Sequence, residues 1–396
     1  MALRVLLSVV LAAAGALAAA AALDSEEQPA PPAPSAIQVA GPALDDRLTG
    51  SAAERLESVR PWRTDLGRRA APSEEFLPVV PRDVIAAIDR PRAVPVRSAR
   101  GLHAGEPVIA VTVGRAARAY PVRILVWHEI VNDRLGGRPI VVTYCPLCNS
   151  SLVFDRRARG NTLTFSTTGN LRRGNLVMYD RQTESWWQQF TGTAVVGELT
   201  GARLRPRRVQ TLSFADFAAG HPDGTVLSFD TGFDRPYRTN PYAGYERPAD
   251  RPGLFRGRLD LRLPPKERVV VLHGEREVVA VPLTAARRRG VVTVTVEGRS
   301  VAVLFKPGAR SPLQSDDPSE ARDVGAVGAF RPVASGRPVR LATAGEGFRD
   351  ARTGSRFDIT GRARSGPLAG ARLPRVRHDV QLWFAVAAFA PDVRLP

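Results

Sequence analysis

Along most of this chain apolar and polar positions alternate in short bursts, the period of a strand rather than of a helix. Runs rich in Val, Ile and Thr predict strands over 107–113, 139–144, 151–155, 162–167, 176–179 and 193–199. Helical spacing predicts a short helix over 83–88 and a longer one over 122–133. Two further helical segments, Phe214-Ala-Asp-Phe-Ala-Ala-Gly-His221 and Trp383-Phe-Ala-Val-Ala-Ala-Phe-Ala390, each run into a Pro-Asp pair, where proline cannot continue a helix.

The pattern also repeats. Gly197-Glu-Leu-Thr-Gly-Ala-Arg-Leu204 returns as Gly366-Pro-Leu-Ala-Gly-Ala-Arg-Leu373, and Pro222-Asp223 returns as Pro391-Asp392 at the same spacing. Asp180-Arg-Gln-Thr-Glu-Ser185 returns as Asp350-Ala-Arg-Thr-Gly-Ser355, and Gly137-Arg-Pro-Ile-Val-Val142 as Gly298-Arg-Ser-Val-Ala-Val303. Such self-similarity predicts an internal duplication. The expected fold class is a β-rich α+β protein of two pseudo-symmetric lobes. A first lobe spans 76–230, a connector 231–264 and a second, degenerate lobe 265–396.

The N-terminal pattern is different. A basic start at Arg4 precedes an almost unbroken Ala, Leu and Val run that ends in small residues near Leu23, so residues 1–23 read as a secretory signal peptide, with an uncleaved membrane anchor as the alternative. Residues 24–75 are rich in Pro and Ala and lack sustained periodicity, which predicts a flexible linker. The expected location is secreted, or periplasmic within the cell envelope, with no transmembrane segment after signal processing.

Composition changes this picture little. The formal charge of +17 would ordinarily suggest nucleic acid, but only Lys266 and Lys306 are lysines among 56 basic residues. No basic block alternates with aromatics as a stacking platform does, so nucleic acid is set aside and the arginine runs read as solvated surface. The expected partner is a metal ion or a small molecule.

A duplicated chain carries its own control: features in both copies serve the fold, and polar features in one copy alone are candidates for chemistry. The Asp-x-x-Thr-x-Ser motif is in both and reads as a side-chain cap. The only two cysteines, Cys145 and Cys148, are in one. Cys145 stands opposite Lys306, and Trp127-His-Glu-Ile130 stands opposite Arg288-Arg-Gly-Val291, so His128 and Glu129 have no counterpart either.

Three readings of Val142-Thr-Tyr-Cys-Pro-Leu-Cys-Asn149 stay open. A strand on each side makes it a tight hairpin turn, with Asn149 suited to the left-handed conformation, and this is the form of a metal knuckle. Two thiolates with His128 as third ligand, and Glu129 or Met178 as further candidates, make a soft set that suits copper or zinc. Alternatively the pair cycles as a thiol–disulfide oxidoreductase, with Arg172, Arg173 or Glu129 tuning the attacking thiolate. The third reading is a non-catalytic binding module with its pocket between the lobes and a structural disulfide, although so short a ring stabilises little. No phosphate loop, dinucleotide fingerprint or nucleophile elbow is present, so a conventional enzyme class finds no support.

Tyr120-Pro-Val-Arg-Ile-Leu-Val-Trp-His-Glu-Ile-Val-Asn-Asp133, the cysteine segment and Asn175-Leu-Val-Met-Tyr-Asp-Arg-Gln-Thr-Glu-Ser-Trp-Trp187 together resemble the bacterial and archaeal DUF3179 family, from about residue 80 to the C-terminus. That family is uncharacterised, so the resemblance implies shared Cys-Pro-x-Cys and Trp-His-Glu segments, here Cys145, Cys148, His128 and Glu129, without implying an activity. Phe165-Ser-Thr-Thr-Gly169 departs from the Phe-Gly-x-Ser-Gly run expected there.

Overall fold

A computed structural model describes residues 62–396; the predicted signal peptide and most of the predicted linker lie outside the described residues. Strand dominates and the α-helices are short, so the protein is β-rich α+β. Long valine-rich strands such as Pro107–Val113 and Arg138–Cys145 are buried on both faces, which is why their sequences read as nearly continuous apolar runs.

One succession of elements occurs twice. In the first half, the strands Pro107–Val113 and Ala116–Pro121 pair antiparallel, helix α1 (Val122–His128) follows, and Ile130–Leu135 pairs antiparallel with Arg138–Cys145. Later, Arg268–His273 pairs with Val278–Pro282, a helix (Leu283–Arg289) follows, and Val291–Val296 pairs with Arg299–Lys306. Every sheet is built within one half. The cores are nevertheless shared: Leu382, Phe384 and Ala385 pack into the cluster that holds Cys145 and Cys148. A second cluster joins Val108, Leu212 and Phe217 to Phe330, Phe348 and Phe357. The two halves therefore share packed cores.

The Asp-x-x-Thr-x-Ser motif caps in both halves. Thr183 Oγ1 donates to Asp180 and Ser185 Oγ accepts from the Leu199 N–H; Thr353, Asp350, Ser355 and Leu368 repeat the arrangement. Helix α2 (Phe214–Gly220) and the last helix (Trp383–Phe389) both stop before their Pro-Asp pairs, as expected.

Three local expectations fail for physical reasons. The helix predicted over 122–133 ends at His128, because Glu129 turns the backbone to φ 56° and strand Ile130–Leu135 begins. Residues 83–88 form turns and no helix. The strand predicted over 162–167 is displaced into Phe165–Arg172, whose register slips around Gly169. At Gly169 the φ is +77° and a Cβ would sit 1.8 Å from Val80 O, so only glycine fits. The stretch at 62–75 packs against the first half: Trp62 stacks edge-on against Tyr179 and Trp186, and Ala70 N–H bonds to Val195 O.

Candidate functional site

The cysteine hairpin has the local shape its sequence predicts. Strand Arg138–Cys145 passes through a single 3-10 turn, Pro146–Cys148, into strand Ser150–Asp155. Asn149 adopts the left-handed conformation at φ 51°, ψ 33°, and its side chain accepts from Tyr144 Oη and donates to Val380 O of the second half. Cys145 and Cys148 are 3.6 Å apart, both free and both buried.

The predicted ligand set does not assemble. Among the described residues no group of three or more His, Cys, Asp or Glu side chains could hold a metal ion. His128 points elsewhere: its Nδ1 is 2.7 Å from Ala86 O and its Nε2 is 2.6 Å from Tyr237 Oη. With both ring nitrogens engaged, it pins the connector to α1, and burial pushes its pKa down to about 4. Met178 is fully buried in the same apolar cluster as the cysteines, opposite Trp187, and fills space there. The copper- or zinc-binding knuckle is thus overturned, and so is the structural disulfide, since no bridge joins the pair.

The redox alternative is not supported either. Both cysteines are at most 1% exposed, so neither offers an attacking sulfur at the surface. Arg172 and Arg173 are both held by Glu75. What surrounds the sulfurs is a neutral polar network. Cys148 Sγ donates to Gly174 O at 3.1 Å, and Asn175 Nδ2 is 3.5 Å from the same sulfur. Asn175 donates to Gln189 Oε1 and accepts from Gln188 Nε2 and the Phe190 N–H. Gln189 continues to Thr143 and Ser150.

Burial acts on both thiols. For Cys145 it is outweighed by hydrogen bonding from Cys148 and the N–H groups of Leu176, Cys148 and Leu147, which leaves this thiol below its usual range. Cys148 is pushed up by burial and by Cys145. Burial, then the facing Cys145, also raises the Glu129 carboxyl well above the carboxylate range. From the connector, Tyr245 Oη donates to Leu147 O, and Tyr242 is buried nearby. The centre is a closed piece of core.

The residues 82–393 match the family described as protein of unknown function (DUF3179). The chain belongs to that family. No curated protein and no solved structure matches it. For this member of the family, activity has to be sought in its own geometry.

A second place has the openness that the cysteine centre lacks. An open cleft of about 510 Å³ lies where the two halves meet. Arg205, Arg207 and Arg208 of the first half and Arg372, Arg375 and Arg377 of the second line it together. Their backbones are fixed: Pro206 and Arg207 pair with Phe154 and Val153, while Arg375 bridges Phe330 and Arg377 O accepts from His273 N–H. The sequence places Arg372 in a repeated motif that serves the fold, and the other five read as solvated surface. The signal that could have found them is positional, because Arg205, Arg207 and Arg208 follow Gly201–Leu204 just as Arg375 and Arg377 follow the same Gly-Ala-Arg-Leu segment at Gly370–Leu373, which itself holds Arg372.

Proposed function

We propose that this protein is an extracytoplasmic binding module that takes a small ligand in the cleft between its halves. The single observation behind this reading is the contrast between the two places. The cysteine centre is closed on all sides, whereas the cleft is open, of ligand size and walled by both halves. The reduced cysteine pair then serves to lock the hairpin and its amide network into the first half. The recurrence of hairpin, helix and hairpin in the two halves supports an internal duplication, with the second half contributing part of the cleft's lining. Export rests on the signal-like residues 1–23, and N-terminal sequencing of the mature protein tests it.

A thermal-shift screen of chemically diverse small molecules tests the binding reading. Thr112 lines the cleft with an exposed side chain, so Thr112→Trp fills it without disturbing the core. Stabilising compounds should lose their effect in Thr112→Trp and keep it in the Cys145→Ser/Cys148→Ser double variant. Compounds lost only in the cysteine variant would reverse the assignment.

A further inference from the structure

The cleft's lining is unusual even in so basic a chain. Overall there are 39 acidic residues to 56 basic ones, yet the cleft is lined by six arginines and no acid. Arg207 alone has an ion pair, donating to Asp155, which Arg157 also engages. Among the described residues the other five have no carboxylate within salt-bridge reach. Arg375 and Arg377 are nevertheless half-buried, where an unbalanced charge is costly.

The neighbouring groups register that crowding. Arg375 is lowered to about 10 by burial and then by the charges of Arg372 and Arg208. His221 falls to about 4 through burial and then Arg375 and Arg372. His378 is likewise depressed to about 4, by burial first and by Arg375 after a partly opposing bond to Val376 O. Asp358 is the nearby acid that opposes this field, and it is shared with Arg364 and the Thr360 hydroxyl. Asp379 adds to the opposition at His378 but is bonded to His273 and Gln381.

Building on the reading of the cleft as the ligand site, we propose that its ligand is a small anion bearing two or more phosphate or carboxylate groups. Guanidinium forks match the paired oxygens of such groups, and they do so best where water is partly excluded. Two or more groups are expected because five free arginines, Arg205 and Arg208 from the first half and Arg372, Arg375 and Arg377 from the second, converge on one cleft. A single oxyanion group would leave most of that charge unmatched. The concavity and the half-buried Arg375 and Arg377 favour a ligand that enters the cleft over a flat anionic surface laid across it.

Isothermal titration in phosphate-free buffer at low salt tests this with pyrophosphate and citrate, against inorganic phosphate as the single-group probe. Pyrophosphate should bind at least ~10-fold more tightly than phosphate, since each added charge-assisted contact is worth about a factor of ten. Arg375→Met and Arg208→Met, one from each half, should each weaken pyrophosphate by ~10-fold or more. Arg299→Met, an exposed change outside the cleft, should leave it unchanged. Equal binding of phosphate and pyrophosphate, or equal loss in Arg299→Met, would overturn the proposal. Binding only to vesicles containing anionic lipid, or only to duplex DNA, would overturn it in favour of a surface partner. If no anion binds but cleft-dependent compounds emerge from the thermal-shift screen, the anionic class is wrong and the binding module stands. If neither binds, both fail.

Discussion

Glu129 holds the backbone conformation that Gly290 holds in the second half. The two residues follow the equivalent helices at φ 56°, ψ −31° and φ 67°, ψ −40°. Each donates its N–H four residues back, to Leu125 O and Ala286 O, and each carbonyl accepts from the strand beyond, from Tyr144 and Phe305. Glycine reaches this region freely, whereas a side chain pays roughly 1–2 kcal/mol to stay there. Glu129 adds a buried carboxyl facing Cys145.

The first half therefore carries removable strain. Glu129→Gly should leave the melting temperature unchanged or raise it, relief of about 1 kcal/mol being partly offset by the freer unfolded chain. A drop of several degrees would mean that the carboxyl makes a net favourable contribution to the closed centre.

His128 should make stability pH-dependent. Burial, its largest cause, lowers the folded pKa from 6.5 to about 4. Between those values the unfolded chain binds the extra proton, so stability rises with pH across this window. His128's contribution is present above 6.5 and is lost as pH falls toward 4. Its full size is about 3 kcal/mol. By denaturant unfolding, the stability advantage of the native protein over His128→Gln should shrink by about 2 kcal/mol between pH 7.5 and 5.0. An advantage that does not change with pH would show that the imidazole is not held neutral.

The amide network beside the sulfurs should be sensitive to single cuts. Asn175→Ala strands the Phe190 N–H in the buried core and removes one partner each from Gln188 Nε2 and Gln189 Oε1, which keep Leu176 O and Ser150 Oγ. A loss of about 2 kcal/mol in unfolding free energy is expected. A change below about 0.5 kcal/mol would mean that water fills the gap and the centre is open.

Closure of the same centre predicts thiol behaviour. A charged disulfide reagent should leave both cysteines of the native protein unmodified over the time in which it titrates two thiols after denaturation. Rapid labelling of native Cys145 would contradict the buried placement.

Much of the fold was legible because its signals are local. Strands such as Pro107–Val113 and Asn175–Asp180 announce themselves by β-branched and aromatic runs, and Asn149 marks its own turn. The helix α1 boundary was not legible, because Glu129 carries no stop signal where Gly290 would have. The site was misread for a different reason. Whether His128 meets the cysteines depends on Ala86 and on Tyr237, over a hundred residues away, and both claim its ring. The cleft was missed because its arginines lie on two short stretches that look like surface until folding brings Arg208 and Arg375 to one cleft.

The central claim is that the ligand belongs to the cleft and not to the cysteines. The most direct measurement is pyrophosphate titration of two double variants side by side, Cys145→Ser/Cys148→Ser and Arg208→Met/Arg375→Met, each confirmed folded by its melting transition. The account predicts native affinity in the first and a loss of ~100-fold or more in the second, two contacts at about tenfold each. Lost binding in the cysteine variant with binding intact in the arginine variant would contradict it.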